Sequence, residues 1–263
     1  MPDFNSNGVR IHYEIEGNGP EVILVHGFAG SGEGNYIRPG IVVVLKDENR
    51  VITMDCRGHG LSEKPHETSQ YGPAMLEDII NLTKHLGIQK CNFMGYSMGS
   101  SLCLNLTLQN PELVKSVVLG GFGFNPPNKI NSKGLPQRNL IVEALLAKDV
   151  TTIKDQGALG FRRFAESTGC DLQALAACME GNFRFAADAA NHQKTITEIK
   201  QIKVPLMTVC GNDDNLITDS SYLAMLVPGG LHVLIQGKDH LTVVADPMLR
   251  MAVRAFFNYV NHR

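Results

Sequence analysis

Seven short runs rich in apolar and β-branched residues punctuate the chain: VRIHYEIEG, EVILVHG, NRVITMD, KCNFMG, KSVVLGG, PLMTVCG and LHVLIQG. Several are continuously apolar rather than alternating, the pattern of strands covered on both faces. Segments of helical character separate them at residues 74–86, 98–109, 219–226 and 247–260, the last with Asp246 as N-cap before Pro247. Strand, helix, strand in repetition predicts an α/β fold with a mostly parallel central sheet flanked by helices. Residues 39–49, PGIVVVLKDEN, are β-branched yet fall where the alternation demands a helix, and topology assigns one there.

The alternation stops after residue 122 and resumes at about 204. The intervening stretch opens with GFGFNPPNKINSKGLPQ and continues through RNLIVEALLAKD, ALGFRRFAES, DLQALAACMEGNFRF and AADAANHQKTITEIK, all of helical character. The expected organisation is therefore a core of residues 1–122 and 204–263 with a helical cap, residues 123–203, inserted between two core strands. Phe122, Phe124, Phe161, Phe164, Met179, Phe183 and Phe185 make the insertion rich in apolar groups, most of them read as its own core. Arg162, Arg163 and Arg184 are read as solvated surface charges.

A chain of 263 residues with 43% hydrophobic content suffices for one large core and a small lid. With 24 Lys and Arg against 26 Asp and Glu, and no basic run, nucleic acid is not an expected partner. No apolar stretch approaches the roughly 18 to 20 residues that span a bilayer, and the first twenty residues lack the pattern of a secretory signal. A soluble, cytoplasmic protein that does not bind membranes is expected. Cys56, Cys91, Cys103, Cys170, Cys178 and Cys210 form no CxxC pair and lie mostly beside apolar segments, so they read as structural thiols, with no metal and no organic cofactor implied.

The chemistry concentrates at GYSMG, residues 95–99, between an apolar strand and a helix. A serine hydroxyl is a poor nucleophile unless a base takes its proton and a third group holds that base in the right tautomer. On a sharp strand-to-helix turn, Ser97 would have strained backbone angles, while Gly95 and Gly99 would let strand and helix approach. The Met98 N–H would stand at a helix N-terminus, aimed at an oxyanion formed beside Ser97.

With that motif placed, the sequence resembles the α/β-hydrolase family over nearly its whole length. HGFAG, residues 26–30, resembles the family's His-Gly loop, which implies that the backbones of Phe28 and Met98 form the oxyanion hole. DCRGHGLS, residues 55–62, is similar to the family's Asp-x-Arg-Gly-His-Gly-x-Ser signature. The family's order of Ser, acid, His implies Asp214 in GNDD as the acid, with Asp213 as its adjacent rival, and His240 in DHLTVVADP as the base. By the same resemblance His26 and His59 are structural, and Asp55 anchors the turn that it begins. The implied function is a carboxylesterase-type serine hydrolase acting on a small-molecule ester of short to medium acyl chain length through an acyl-enzyme. Two alternatives use the same triad, carbon–carbon bond hydrolysis of ring-cleavage products and perhydrolysis, and a third is a small-molecule receptor. Dehalogenase and epoxide hydrolase relatives carry an aspartate where this chain has Ser97. A dinucleotide site is disfavoured because glycines at 27, 30, 32 and 34 do not meet G-x-G-x-x-G.

Overall fold

The continuously apolar runs become the interior strands of one sheet. In the computed structural model, residues 2–124, 137–186, 192–217 and 219–263 are described, with side chains for all of these except 182–194. The strands are β1 (Asp3–Ser6), β2 (Val9–Glu16), β3 (Glu21–Val25), β4 (Arg50–Met54), β5 (Cys91–Tyr96), β6 (Val114–Gly120), β7 (Leu206–Gly211) and β8 (Leu231–Ile235). They form a sheet in the order β1-β2-β4-β3-β5-β6-β7-β8. The first two pairings, β1 with β2 and β2 with β4, are antiparallel, and the others are parallel. Val22, Ile23, Leu24 and Val25 of β3 are wholly buried, because helices cover both faces at the centre of the sheet.

The helices around the sheet are α1 (Ile41–Leu45), α2 (Pro73–His85) and α3 (Met98–Gln109); between β6 and β7 come α4 (Arg138–Leu146), α5 (Gln156–Ser167), α6 (Leu172–Ala186) and α7 (His192–Ile199); α8 (Ser220–Leu226) and α9 (Pro247–Asn261) follow. The β-branched segment at 39–49 does hold a helix, though only the five residues of α1. Gly40 starts it in a left-handed conformation at φ 82°, and Ile41, Val42 and Leu45 share a buried cluster with Val253 and Phe257 of α9. Burial there outweighs the modest helix penalty of β-branched side chains. Asp246 caps α9, its carboxylate accepting from the Met248 N–H at 2.8 Å. Among the described residues, no helix is long and apolar enough to cross a membrane.

The insertion between β6 and β7 builds a cluster of its own. Ile141, Ala144 and Leu145 of α4, Ala158 and Ala165 of α5, and Leu175 and Ala176 of α6 bury against one another and against Ala29 of the loop after β3. Phe161, Phe164 and Met179 belong to this cluster, whereas Phe122 and Phe124 pack on the main core beside Met98. The side chains of Phe183, Arg184 and Phe185 lie outside the described residues.

Arg162 corrects the expectation of a solvated charge. It is 8% exposed, and its Nη1 donates to the carbonyls of Ala144, Leu145 and Ala147 at 2.8, 3.0 and 2.9 Å. The unpaired carbonyls at the C-terminal end of α4 require donors, and a guanidinium supplies them together with a favourable charge. Arg163 is exposed.

Candidate active site

β3 and β5 are parallel neighbours with Val25 opposite Gly95, and the chain passes to β4 on one side of β3 and to β5 on the other. The loops leaving their C-terminal ends therefore meet where the winding of the sheet reverses, the usual place for a ligand crevice in an open α/β fold. One loop is HGFAG and the other is the turn into α3.

Ser97 occupies that turn at φ 52° and ψ −111°, outside the conformations that an L-residue adopts readily. Closeness of strand and helix enforces it. A Cβ on Gly95 would lie 2.3 Å from the Gly99 carbonyl oxygen, and one on Gly99 would lie 1.9 Å from the Val25 carbonyl oxygen. The Ser97 N–H donates to the Gly120 carbonyl at 2.8 Å, tying the turn to β6. Although Ser97 stands at the N-cap of α3, its side chain makes no capping bond, so the hydroxyl is available to another partner.

That partner is His240. Its Nε2 lies 3.0 Å from Ser97 Oγ, and its Nδ1 lies 2.7 Å from Asp214 Oδ2. An ionised carboxylate only accepts, so the proton of the neutral imidazole sits on Nδ1 and Nε2 is left as the acceptor facing the serine hydroxyl. The Asp214 side chain is fully buried and that of His240 is 12% exposed. Asp214 Oδ1 accepts from the Leu216 N–H at 3.0 Å. Asp213 is exposed and its N–H donates to the Lys238 carbonyl at 3.0 Å, stitching the loop after β7 to the one after β8. The structure thus brings Asp214, rather than Asp213, to the histidine.

The HGFAG loop lies directly against the turn, since a Cβ on Gly27 would stand 3.3 Å from Ser97 Cβ. His26 braces this loop. Its Nε2 accepts from the Cys56 N–H at 2.9 Å, so the proton is on Nδ1, which donates to the Gly27 carbonyl at 2.7 Å. His59 donates from Nδ1 to the Arg57 carbonyl at 3.0 Å, and its ring meets that of Phe28 edge-on with centroids 5.8 Å apart. Both histidines are wholly buried. Desolvation lowers the pKa of each, that of His59 to about 3, with the neighbouring His26 as a second cause there. Both are neutral scaffold groups at pH 7.

The Phe28 N–H engages no acceptor among the described residues, and the Met98 N–H, at the first position of α3, has none within its helix. Asp55 accepts from the Gly32 N–H at 2.8 Å and the Leu61 N–H at 2.7 Å, holding its own turn together. Two contacts were not read from sequence. Arg57 makes a bidentate pair with Asp78 of α2, both bonds at 2.7 Å and both residues buried. The hydroxyl of Tyr96 donates to the His240 carbonyl.

None of the six cysteines takes part in a disulfide, and burial pushes the thiols of Cys56, Cys91, Cys103 and Cys178 up. No group of His, Cys, Asp and Glu suited to a metal ion occurs among the described residues.

Comparison with known proteins is consistent with this geometry. Residues 20–145 match the family model described as alpha/beta hydrolase fold. The sn-1-specific diacylglycerol lipase ABHD11 of Xenopus laevis is 33% identical over 118 residues, 45% of this chain and 36% of that protein. Haloalkane dehalogenase 2 of Mycobacterium tuberculosis (strain ATCC 25618 / H37Rv) is 29% identical over 156 residues, 54% of each. The chain thus spans between about a third and a half of these curated relatives. Among solved structures, the enol-lactonase from Burkholderia xenovorans LB400 superposes with a TM-score of 0.74 over 100% of both chains at 20% identity. From its strand order, its family-model match over residues 20–145 and its full-length structural neighbours, the chain has the α/β-hydrolase fold.

Proposed function

We propose that this protein is a serine hydrolase that cleaves carboxylic esters of short to medium acyl chain length through an acyl-enzyme. One observation carries the reading: on a strained turn, Ser97 Oγ lies 3.0 Å from His240 Nε2, whose Nδ1 lies 2.7 Å from the buried Asp214 carboxylate. In this reading His240 takes the hydroxyl proton as Ser97 attacks the substrate carbonyl, and Asp214 orients the imidazole and stabilises its charged form. The Phe28 and Met98 amides hold the tetrahedral oxyanion, each donor contributing roughly 3 to 4 kcal/mol to the transition state. His240 then gives the proton to the leaving alcohol, and water repeats the sequence on the acyl-enzyme.

The insertion, residues 123–203, serves as a cap over Ser97. Its cluster closes on Ala29, beside the oxyanion residue Phe28, and Phe28 meets Phe161 with ring centroids 6.2 Å apart. An acyl group bound there would meet an apolar wall. A lactone is an internal ester, so the enol-lactonase likeness suits this chemistry, while the dehalogenase likeness covers only about half the chain.

Hydrolysis of p-nitrophenyl acetate, butyrate, octanoate and palmitate by wild type and Ser97→Ala tests the proposal. Activity on the shorter chains that disappears in the variant supports it. A wild type inactive on every ester, yet folded and stabilised stoichiometrically by a small molecule, would favour a receptor.

A further inference from the structure

We propose that Tyr96 is a positioning residue for His240, setting the distance between base and nucleophile through the hydrogen bond from its hydroxyl to the His240 carbonyl; this rests on the reading of Ser97, His240 and Asp214 as a catalytic triad. Tyr96 is the last residue of β5 and the immediate neighbour of Ser97. It is 3% exposed, buried among Val118, Val209, Val243 and Val244, and its ring centroid lies 5.3 Å from that of the His240 imidazole.

Two glycines make the slot for this ring. A Cβ on Gly120 would lie 2.8 Å from Tyr96 Cδ2, and one on Gly121 would lie 2.7 Å from Tyr96 Cζ and 3.0 Å from His240 Cε1. Gly121 also has φ 55°, a conformation that side-chain-bearing residues adopt with strain. A backbone shaped to admit a tyrosine between β6 and the catalytic histidine suggests a task beyond filling space.

The task follows from how the His240 turn is otherwise held. Asp239 collects the Leu241 and Thr242 N–H groups and the Thr242 hydroxyl, and its own carbonyl accepts from the Val243 N–H. These bonds fix the shape of the turn but not its distance from Ser97. Asp214 holds the far side of the ring. The Tyr96 hydroxyl ties the turn to the strand that carries the nucleophile, so Ser97 and His240 share one short connection. Burial, and the nearby Asp214 charge after it, push the phenol well above its ordinary pKa, so it remains a donor across the working pH range.

Tyr96→Phe keeps the ring and removes the bond. With a p-nitrophenyl ester, kcat is expected to fall about 10- to 100-fold with KM within about twofold, because misplacement of a base acts on the chemical step. In proton NMR, the downfield resonance of the His240 Nδ1–H is expected to shift or broaden as the ring loses its fixed position. Wild-type kcat in a folded Tyr96→Phe protein would overturn the proposal, as would a loss of kcat that only tracks a loss of folded protein by circular dichroism. Ser97→Ala separates the two readings: activity surviving in that variant defeats the triad itself, whereas an inactive Ser97→Ala beside a fully active Tyr96→Phe defeats only the positioning role.

Discussion

Asp214 Oδ2 meets His240 Nδ1 at 2.7 Å, while the adjacent carboxylate of Asp213 is turned out to solvent. If Asp214 holds the imidazole tautomer, Asp214→Asn should lower kcat on esters by about 1,000-fold or more, because an amide can donate to Nδ1 and favour the wrong tautomer. Asp213→Asn should stay within about threefold of wild type. Steady-state kinetics on both variants checks this, and the reverse ranking would move the acid to Asp213.

The glycines around Ser97 should be intolerant in proportion to what a methyl group would strike. Gly99→Ala places a Cβ 1.9 Å from a β3 carbonyl, and a loss of about 3 kcal/mol or more, or failure to fold, is expected. Gly160 in α5 has open space around the added atom, and Gly160→Ala should raise stability by about 0.5–1 kcal/mol through helix propensity and unfolded-state entropy. Urea unfolding of the two variants measures both.

Acid should destabilise the protein through its buried histidines. His59 has a folded pKa of about 3 against an unfolded value of about 6.5, so between those pH values the unfolded chain binds more protons. The stability that this group contributes is whole above about pH 6.5 and is lost as pH falls toward 3, amounting to about 2 kcal/mol by pH 5. His26 shifts in the same direction by burial. His59→Gln should flatten the dependence of unfolding free energy on pH between 7 and 5; an unchanged slope would contradict the assignment.

Removing one partner of the Arg57–Asp78 pair leaves a buried charge without compensation. Asp78→Ala is therefore expected to cost about 3–5 kcal/mol, read from the denaturation midpoint. Replacing both residues with apolar side chains of similar volume should restore a large part of that loss.

The parallel sheet and the sharp turn at Ser97 were legible because each depends on local pattern, apolar runs and glycines where backbones touch; Asp214 and His240 came from the family resemblance, and the structure places both within hydrogen-bond reach of one another. What escaped depends on long-range partners. The hairpin of β1 and β2 was missed although Asn7 and Gly8, at φ 51° and 91°, form the Asn-Gly turn that favours such hairpins; a strand of four residues gives too short a pattern to read alone. Arg162 looked like a surface charge because nothing in its neighbourhood of sequence reveals the α4 carbonyls 15 to 18 positions away. The Tyr96 hydroxyl finds its acceptor 144 positions along the chain. The helix at 39–49 was recoverable from topology alone, since its side chains favour a strand and only burial against α9 decides the matter.

A serine activated by His240 should react with an electrophile that an ordinary hydroxyl ignores. Incubating wild type and Ser97→Ala with a p-nitrophenyl phosphonate, followed by intact-protein and peptide mass spectrometry, tests it without knowledge of the natural substrate. One phosphonyl adduct per wild-type chain, mapped to Ser97 and absent from Ser97→Ala, is the expected result. An adduct on Ser97→Ala equal to that on wild type, or a folded wild type that takes no label, would contradict the account.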